Sequence, residues 1–176
     1  MDQPNSAYIE HMTHIRVRYA DTDQMGMVYY GKYFEYFEVA RTEMLRACGL
    51  PYAEIEAAGF WLPVSEASAR YHRSARYDDL LRVTARMPRV VSARLEISYE
   101  ARLDTTDELI AEGATTLVFV SSATGKPARP PQIYRDAIER TATEEPHPQP
   151  PLPAGRGGFY SLSHSREKGT GDEAGI

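Results

Sequence analysis

At 176 residues, with 42% hydrophobic content and no long apolar run, the chain fits one domain with a sizeable core and excludes a membrane-spanning helix. A formal charge of −5 argues against a dedicated nucleic-acid binder, although 17 arginines against three lysines leave room for a local phosphate site. Cys48 is the single cysteine, which excludes intrachain disulfides and points to cytosolic conditions.

Residues 1–12 read as a flexible N-terminus without the apolar segment of a secretory signal. His11 and His14 have no Cys nearby in sequence, and no metal is assigned. A first strand is expected over Thr13 to Tyr19, followed by a loop and the chain's longest helical pattern. There Tyr33, Phe37, Ala40, Met44 and Cys48 recur at spacings of three and four, with Glu35, Glu38, Arg41, Thr42, Glu43 and Arg46 among them. Gly49-Leu50 closes this buried helix. Pro51 to Ala58 reads as a short helix with Gly59 just beyond it. Phe60 to Val64 opens a strand reaching about Arg73, and Arg82 to Val91 alternates in part. Leu95, Ile97, Tyr99, Ala101 and Leu103 alternate strictly with polar residues. The Asp104-Thr105-Thr106-Asp107 turn returns the chain into Leu109 to Ser121, whose Thr116–Val120 centre is apolar on both faces and so is expected in mid-sheet.

Gln132 to Arg140 reads as a terminal helix. From Thr141 to Ile176 prolines give way to glycines and serines, a composition too poor in apolar area to offset its ordering entropy, and the segment is expected to be disordered. One strand, a long helix and four strands joined largely by tight turns predict an α+β domain over residues 13–140. Its curved, antiparallel five-stranded sheet would wrap around the long central helix.

Asp21, Asp23 and Gly26 stand between the first strand and that helix. The first helical turn leaves backbone N–H groups without partners, so Tyr30, Gly31 and Lys32 offer donors at a partly positive helix end. A carboxylate facing such donors can attack a carbonyl, or activate water to do so, while the donors hold the carbonyl oxygen. Gly26 permits a sharp turn or a close approach to a ligand. The same Asp-x-Asp spacing also serves as a plain turn or capping device, and spacing does not separate the two. A calcium loop is rejected, because Met25 and Lys32 occupy positions that need oxygen ligands.

The run from Tyr19 to Tyr30, then Tyr33 and Ala40-Arg41-Thr42-Glu43-Met44-Leu45-Arg46, resembles the hot-dog-fold acyl-CoA thioesterases. It is most similar to the branch of 4-hydroxybenzoyl-CoA thioesterase and the Tol-Pal-associated, YbgC-like enzymes. Arg76-Tyr77-Asp78-Asp79-Leu80-Leu81 and Thr124-Gly125-Lys126-Pro127 extend the resemblance, which covers about Ile15 to Pro131. It implies a hot-dog fold and hydrolysis of acyl-CoA thioesters, with coenzyme A as part of the substrate and no cofactor. It implies Asp23 as catalytic carboxylate, Asp21 as its support, and the Tyr30 backbone N–H as the group polarising the thioester carbonyl. Tyr30 replaces a histidine found in many Tol-Pal-associated members.

The resemblance also places coenzyme A phosphates at the turn Arg89-Val90-Val91-Ser92-Ala93-Arg94, with Arg89 and Ser92 matching best. For Arg94 a solvated strand face is an equal reading, and Arg70, Arg73 and Arg76 form a second basic group. Tyr29, Tyr33, Phe60 and Trp61 are either acyl-pocket lining or ordinary core. Dimers joined edge to edge at the sheet, or tetramers, are implied, and open sheet edges agree. An acyl-carrier-protein thioesterase and a non-catalytic acyl-binding module are the alternatives. A hot-dog dehydratase is disfavoured, since no histidine lies between His14 and His72.

Overall fold

The structure, a computed structural model, describes residues 7–90 and 92–143. Strands β1 (Tyr8–Arg16), β3 (Val64–Tyr71), β4 (Leu80–Pro88), β5 (Arg94–Leu103) and β6 (Leu109–Val118) form one antiparallel sheet in the order β1-β4-β5-β6-β3. Helix α1 (Lys32–Ala47) packs on one face, α2 (Tyr52–Ala57) follows it, and α3 (Gln132–Thr143) ends the described chain. Two short strands, β2 (Phe60–Trp61) and β7 (Val120–Ser121), pair with each other beside the main sheet.

Alternation decides which sheet face meets α1. Leu81, Val83, Ala85 and Met87 of β4 and Leu95, Ile97, Tyr99 and Ala101 of β5 are buried. Facing them, α1 buries Tyr33, Tyr36, Phe37, Ala40, Met44 and Leu45. Phe37 stacks on Tyr99 at 4.7 Å and 12°, and burying such a ring stabilises by about 2–3 kcal/mol. Helix and sheet approach closely enough to require Gly113 in β6. A Cβ there would meet the Phe37 ring and stand 2.8 Å from the Ser68 carbonyl oxygen. The opposite face carries charge, with Arg86 bonded to Glu10 and Glu100, and Arg102 to Glu100.

Several boundaries differ from the sequence reading. The first strand is Tyr8–Arg16, not Thr13 to Tyr19, so residues 8–12 of the expected flexible N-terminus are paired from Tyr8↔Pro88 onward. Polar His11 and Thr13 fall opposite Ala85 and Val83, which hides the alternation; burial pulls the His11 imidazole below its ordinary value. The strand expected over Phe60 to Arg73 breaks at Leu62-Pro63, where proline has no N–H for a ladder. Leu109 to Ser121 likewise splits at Phe119, which leaves the sheet to pack its buried ring 4.9 Å from that of Tyr134 in α3. The doubly apolar run therefore reflects a second packing layer, and β6 lies one strand in from the β3 edge.

Helix α3 continues to Thr143, past the expected start of the tail at Thr141. The rest of the predicted tail, residues 144–176, and residues 1–6 lie outside the described residues. Among the described residues no helix is long and apolar enough to cross a membrane.

Candidate active site

Beyond β1 the chain makes a 3-10 turn at Tyr19–Asp21, and Asp21 is 1% exposed. Its Oδ2 accepts from the Arg18 backbone N–H at 3.2 Å, Arg18 Nε at 3.1 Å and the Tyr36 hydroxyl at 3.1 Å, and Oδ1 from Arg18 Nη2 at 2.9 Å. Lys32 Nζ stands 3.8 Å from Oδ1. Burial alone would raise the Asp21 pKa; the Arg18 and Tyr36 hydrogen bonds and the Arg18 charge overcome this and hold it below its ordinary value. The Tyr36 phenol is pushed up by burial and by the Asp21 charge. Asp21 is thus a saturated, ionised anchor joining the loop to α1.

Asp23 sits two residues on, in a small hairpin. Its N–H donates to Met27 O at 2.8 Å, Thr22 bridges Val28, and Tyr29 N–H donates to Asp21 O at 2.9 Å. The Gly26 N–H returns to Asp23 O at 3.0 Å, and Gly26 takes φ 72°, a left-handed conformation that favours glycine at this turn. Asp23 Oδ1 accepts from Met25 N–H at 2.8 Å and Met27 N–H at 3.4 Å. Oδ2 accepts no hydrogen bond from the described residues. The turn-capping role therefore occupies one oxygen and leaves the other half of the half-buried carboxylate open.

The hairpin delivers the chain to the start of α1. Val28 N–H donates to Ala75 O at 2.9 Å and Met27 bridges Arg76, which ties the hairpin to the β3–β4 connection. Gly31 is the helix N-cap, without a side-chain cap. Among the described residues neither the Tyr30 nor the Gly31 N–H meets an acceptor. Tyr29 and Tyr30 are exposed with rings 4.4 Å apart, whereas Tyr33 is buried and its phenol is pushed up to about 12 by burial. Asp21, Asp23, Gly26, Tyr29, Tyr30, Gly31 and Tyr33 thus belong to one hairpin and helix start.

Arg89, Ser92 and Arg94 do not join them. Strand β4 starts beside this loop, with Leu80 opposite Arg16 and Val17 N–H bonded to Asp79 O at 2.9 Å, and it carries the chain to Arg89 at the far end. Nine residues of strand separate the two ends by roughly 30 Å. Arg89 lies close enough to Cys48, at the end of α1, for its charge to favour the thiolate, although burial dominates and pushes the thiol up to about 11. Cys48 is therefore the inert core residue its place in the helical stripe implied. Ser92 Oγ accepts from Arg94 N–H at 3.3 Å, and Arg94 is exposed. Phe60 and Trp61, paired with Ser121 and Val120, share the Arg94 end of the sheet and are not gathered with Tyr29 and Tyr33. Arg70 and Arg73 pair with Glu112 and Glu108, and the Arg76 backbone N–H bonds Asp79.

Four residues that sequence reading did not single out complete the loop's support: Arg18, Lys32's side chain, Tyr36 and Tyr71. Tyr36 had a signal, since it continues the buried stripe three residues after Tyr33. Tyr71 had none, because its hydroxyl reaches the Tyr30 carbonyl oxygen at 3.1 Å across 41 residues of chain. His14 also gains a distant partner, Asp104, at 3.2 Å.

An antiparallel five-stranded sheet packed against helix α1 is the arrangement of the hot-dog fold. Residues 17–138 match the thioesterase-like superfamily, and the chain belongs to it. It is 31% identical over 125 residues to the acyl-CoA thioesterase YbgC of Haemophilus influenzae, covering 70% of this chain and 90% of that one. The structure of a DHNA-CoA thioesterase from Staphylococcus aureus superposes with a TM-score of 0.70 at 30% identity, covering 76% of this chain and 91% of the other. A hypothetical protein from Thermus thermophilus superposes with a TM-score of 0.68 at 34% identity, over 73% and 97% of the two chains.

Proposed function

We propose that the protein hydrolyses acyl-CoA thioesters to a free acid and coenzyme A, with Asp23 as the reacting carboxylate. The observation that carries this reading is the pairing, in one hairpin and helix start, of an Asp23 Oδ2 and of Tyr30 and Gly31 N–H groups that have no hydrogen-bond partner among the described residues. The two N–H groups hold the thioester carbonyl oxygen as it becomes an oxyanion, and the helix dipole adds to their pull. As general base, Asp23 takes a proton from the attacking water. As nucleophile, it forms a mixed anhydride, expels the coenzyme A thiolate and is regenerated by water. Either route needs no cofactor, because coenzyme A enters as part of the substrate. The named relatives, an acyl-CoA thioesterase and a DHNA-CoA thioesterase, favour coenzyme A over a carrier protein as the thiol carrier.

The phosphate-binding turn enters through a homodimer. Seven of the eight residues of β3 are exposed, so this sheet edge offers a full strand for pairing. Antiparallel pairing of β3 with its symmetry copy reverses the second sheet, bringing the partner copy's phosphate-binding turn to the level of Asp23. Light scattering is expected to give a dimer or tetramer, and Ala67→Pro is expected to yield monomers without turnover. The cytosol, where Cys48 stays reduced, is the compartment we assign.

The test is thiol release from short, long and aromatic acyl-CoA esters by the full chain and by Asp23→Asn. Cleavage by the first alone supports the reading. Cleavage only of carrier-loaded thioesters moves the substrate to acyl carrier protein, and ligand-induced stabilisation without any turnover makes the protein a binding module.

A further inference from the structure

We infer that Tyr71 is a positioning residue that aims and strengthens the Gly31 N–H as an oxyanion donor; the inference rests on the thioesterase reading above. The Tyr30 carbonyl and the Gly31 N–H belong to one planar trans peptide, so whatever fixes the oxygen fixes the direction of the N–H. The Tyr71 hydroxyl donates to that oxygen at 3.1 Å. The first helical turn does not do so, because the Phe34 N–H goes to the Gly31 carbonyl at 3.3 Å and Lys32 N–H to Tyr29 O at 2.8 Å. The peptide just outside the helix is therefore oriented from another part of the chain.

Tyr71 is built to hold that place. It is the last residue of β3 and pairs with Ala111, and the backbone behind it is fixed by His72 N–H to Ile110 O at 2.8 Å and Arg73 N–H to the same oxygen at 3.1 Å. Its ring lies 5.4 Å from that of buried Tyr33 and 6.4 Å from that of Tyr30. A hydrogen bond accepted by an amide oxygen also polarises the amide and makes its N–H a better donor. Burial and the neighbouring Tyr30 raise the Tyr71 pKa, so its proton remains available to donate across neutral pH.

The experiment compares the full chain with Tyr71→Phe and Asp23→Asn by steady-state thiol release and by the Gly31 amide nitrogen chemical shift. Tyr71→Phe is expected to lower kcat roughly tenfold with KM unchanged, short of the 10²–10³ lost when an oxyanion donor is removed outright. The Gly31 nitrogen should move upfield as its peptide loses the accepted bond. An unchanged kcat in Tyr71→Phe, with Asp23→Asn inactive, overturns the role of Tyr71 and leaves the thioesterase reading standing. An unchanged Gly31 shift also overturns the role. No turnover by the wild type, or full turnover by Asp23→Asn, overturns both.

Discussion

At its N-terminal end α1 begins over a buried carboxylate whose hydrogen bonds come from Arg18 and Tyr36, and beside N–H groups that meet no acceptor among the described residues. At its C-terminal end the same helix runs into Cys48, Tyr134 and Arg89, where burial pushes the thiol up to about 11 and the tyrosine higher still. One end stabilises charge and leaves donors unused; the other suppresses charge. Reaction at a carbonyl needs the first environment, and a stable anchor for the helix needs the second.

The largest expected effect that sharpens this contrast is Asp23→Asn, with turnover falling at least about 10³-fold, or about 4 kcal/mol in ΔG‡, while the melting temperature holds. Asp21→Ala should act in the opposite sense, on the fold. It strands the Tyr36 hydroxyl in the core and removes the anchor, at about 3 kcal/mol, read by urea denaturation. Tyr36→Phe removes one bond to that carboxylate and should cost about 1.5–2 kcal/mol by the same measurement.

Acid should reveal the same anchor. Asp21 has its folded pKa held below the ordinary 3.8, so its stabilisation is fully present above that value and is lost as pH falls through the depressed one. Glu100, lowered by the Arg86 hydrogen bond against burial, adds to this from the charged sheet face. The urea midpoint should fall below about pH 4 in wild type, and less steeply in Asp21→Asn. The smallest effect is expected at the other end: Cys48→Ala should leave kcat and KM unchanged, and Cys48 in the native protein should resist thiol reagents that label it in urea.

What could be read from the sequence depended on how local its cause was. The buried stripe of α1, the alternation of β5 and the acidic loop ahead of a helix are set by neighbours within a few residues, and each was legible. The start of β1 was not, because His11 and Thr13 interrupt its inward face and only pairing with β4 makes Tyr8 to Met12 a strand. The break at Pro63 comes from a proline without the N–H a ladder needs, and the split at Phe119 from a second layer built with α3. At the site, Asp23 and Gly26 were visible as a turn with chemical potential. That one Asp23 oxygen is tied to Met25 and Met27, and that Tyr71 reaches Tyr30, depend on tertiary placement. The separation of the Arg89–Arg94 turn from Asp23 follows from strand direction, which residue types do not encode.

The most direct test of the account is thiol release from an acyl-CoA panel by full-length wild type and Asp23→Asn at equal folded concentration. Cleavage of at least one ester class by wild type and a loss of at least about 10³-fold in the variant are expected. Equal rates from the two proteins would contradict the account and remove Asp23 from the chemistry.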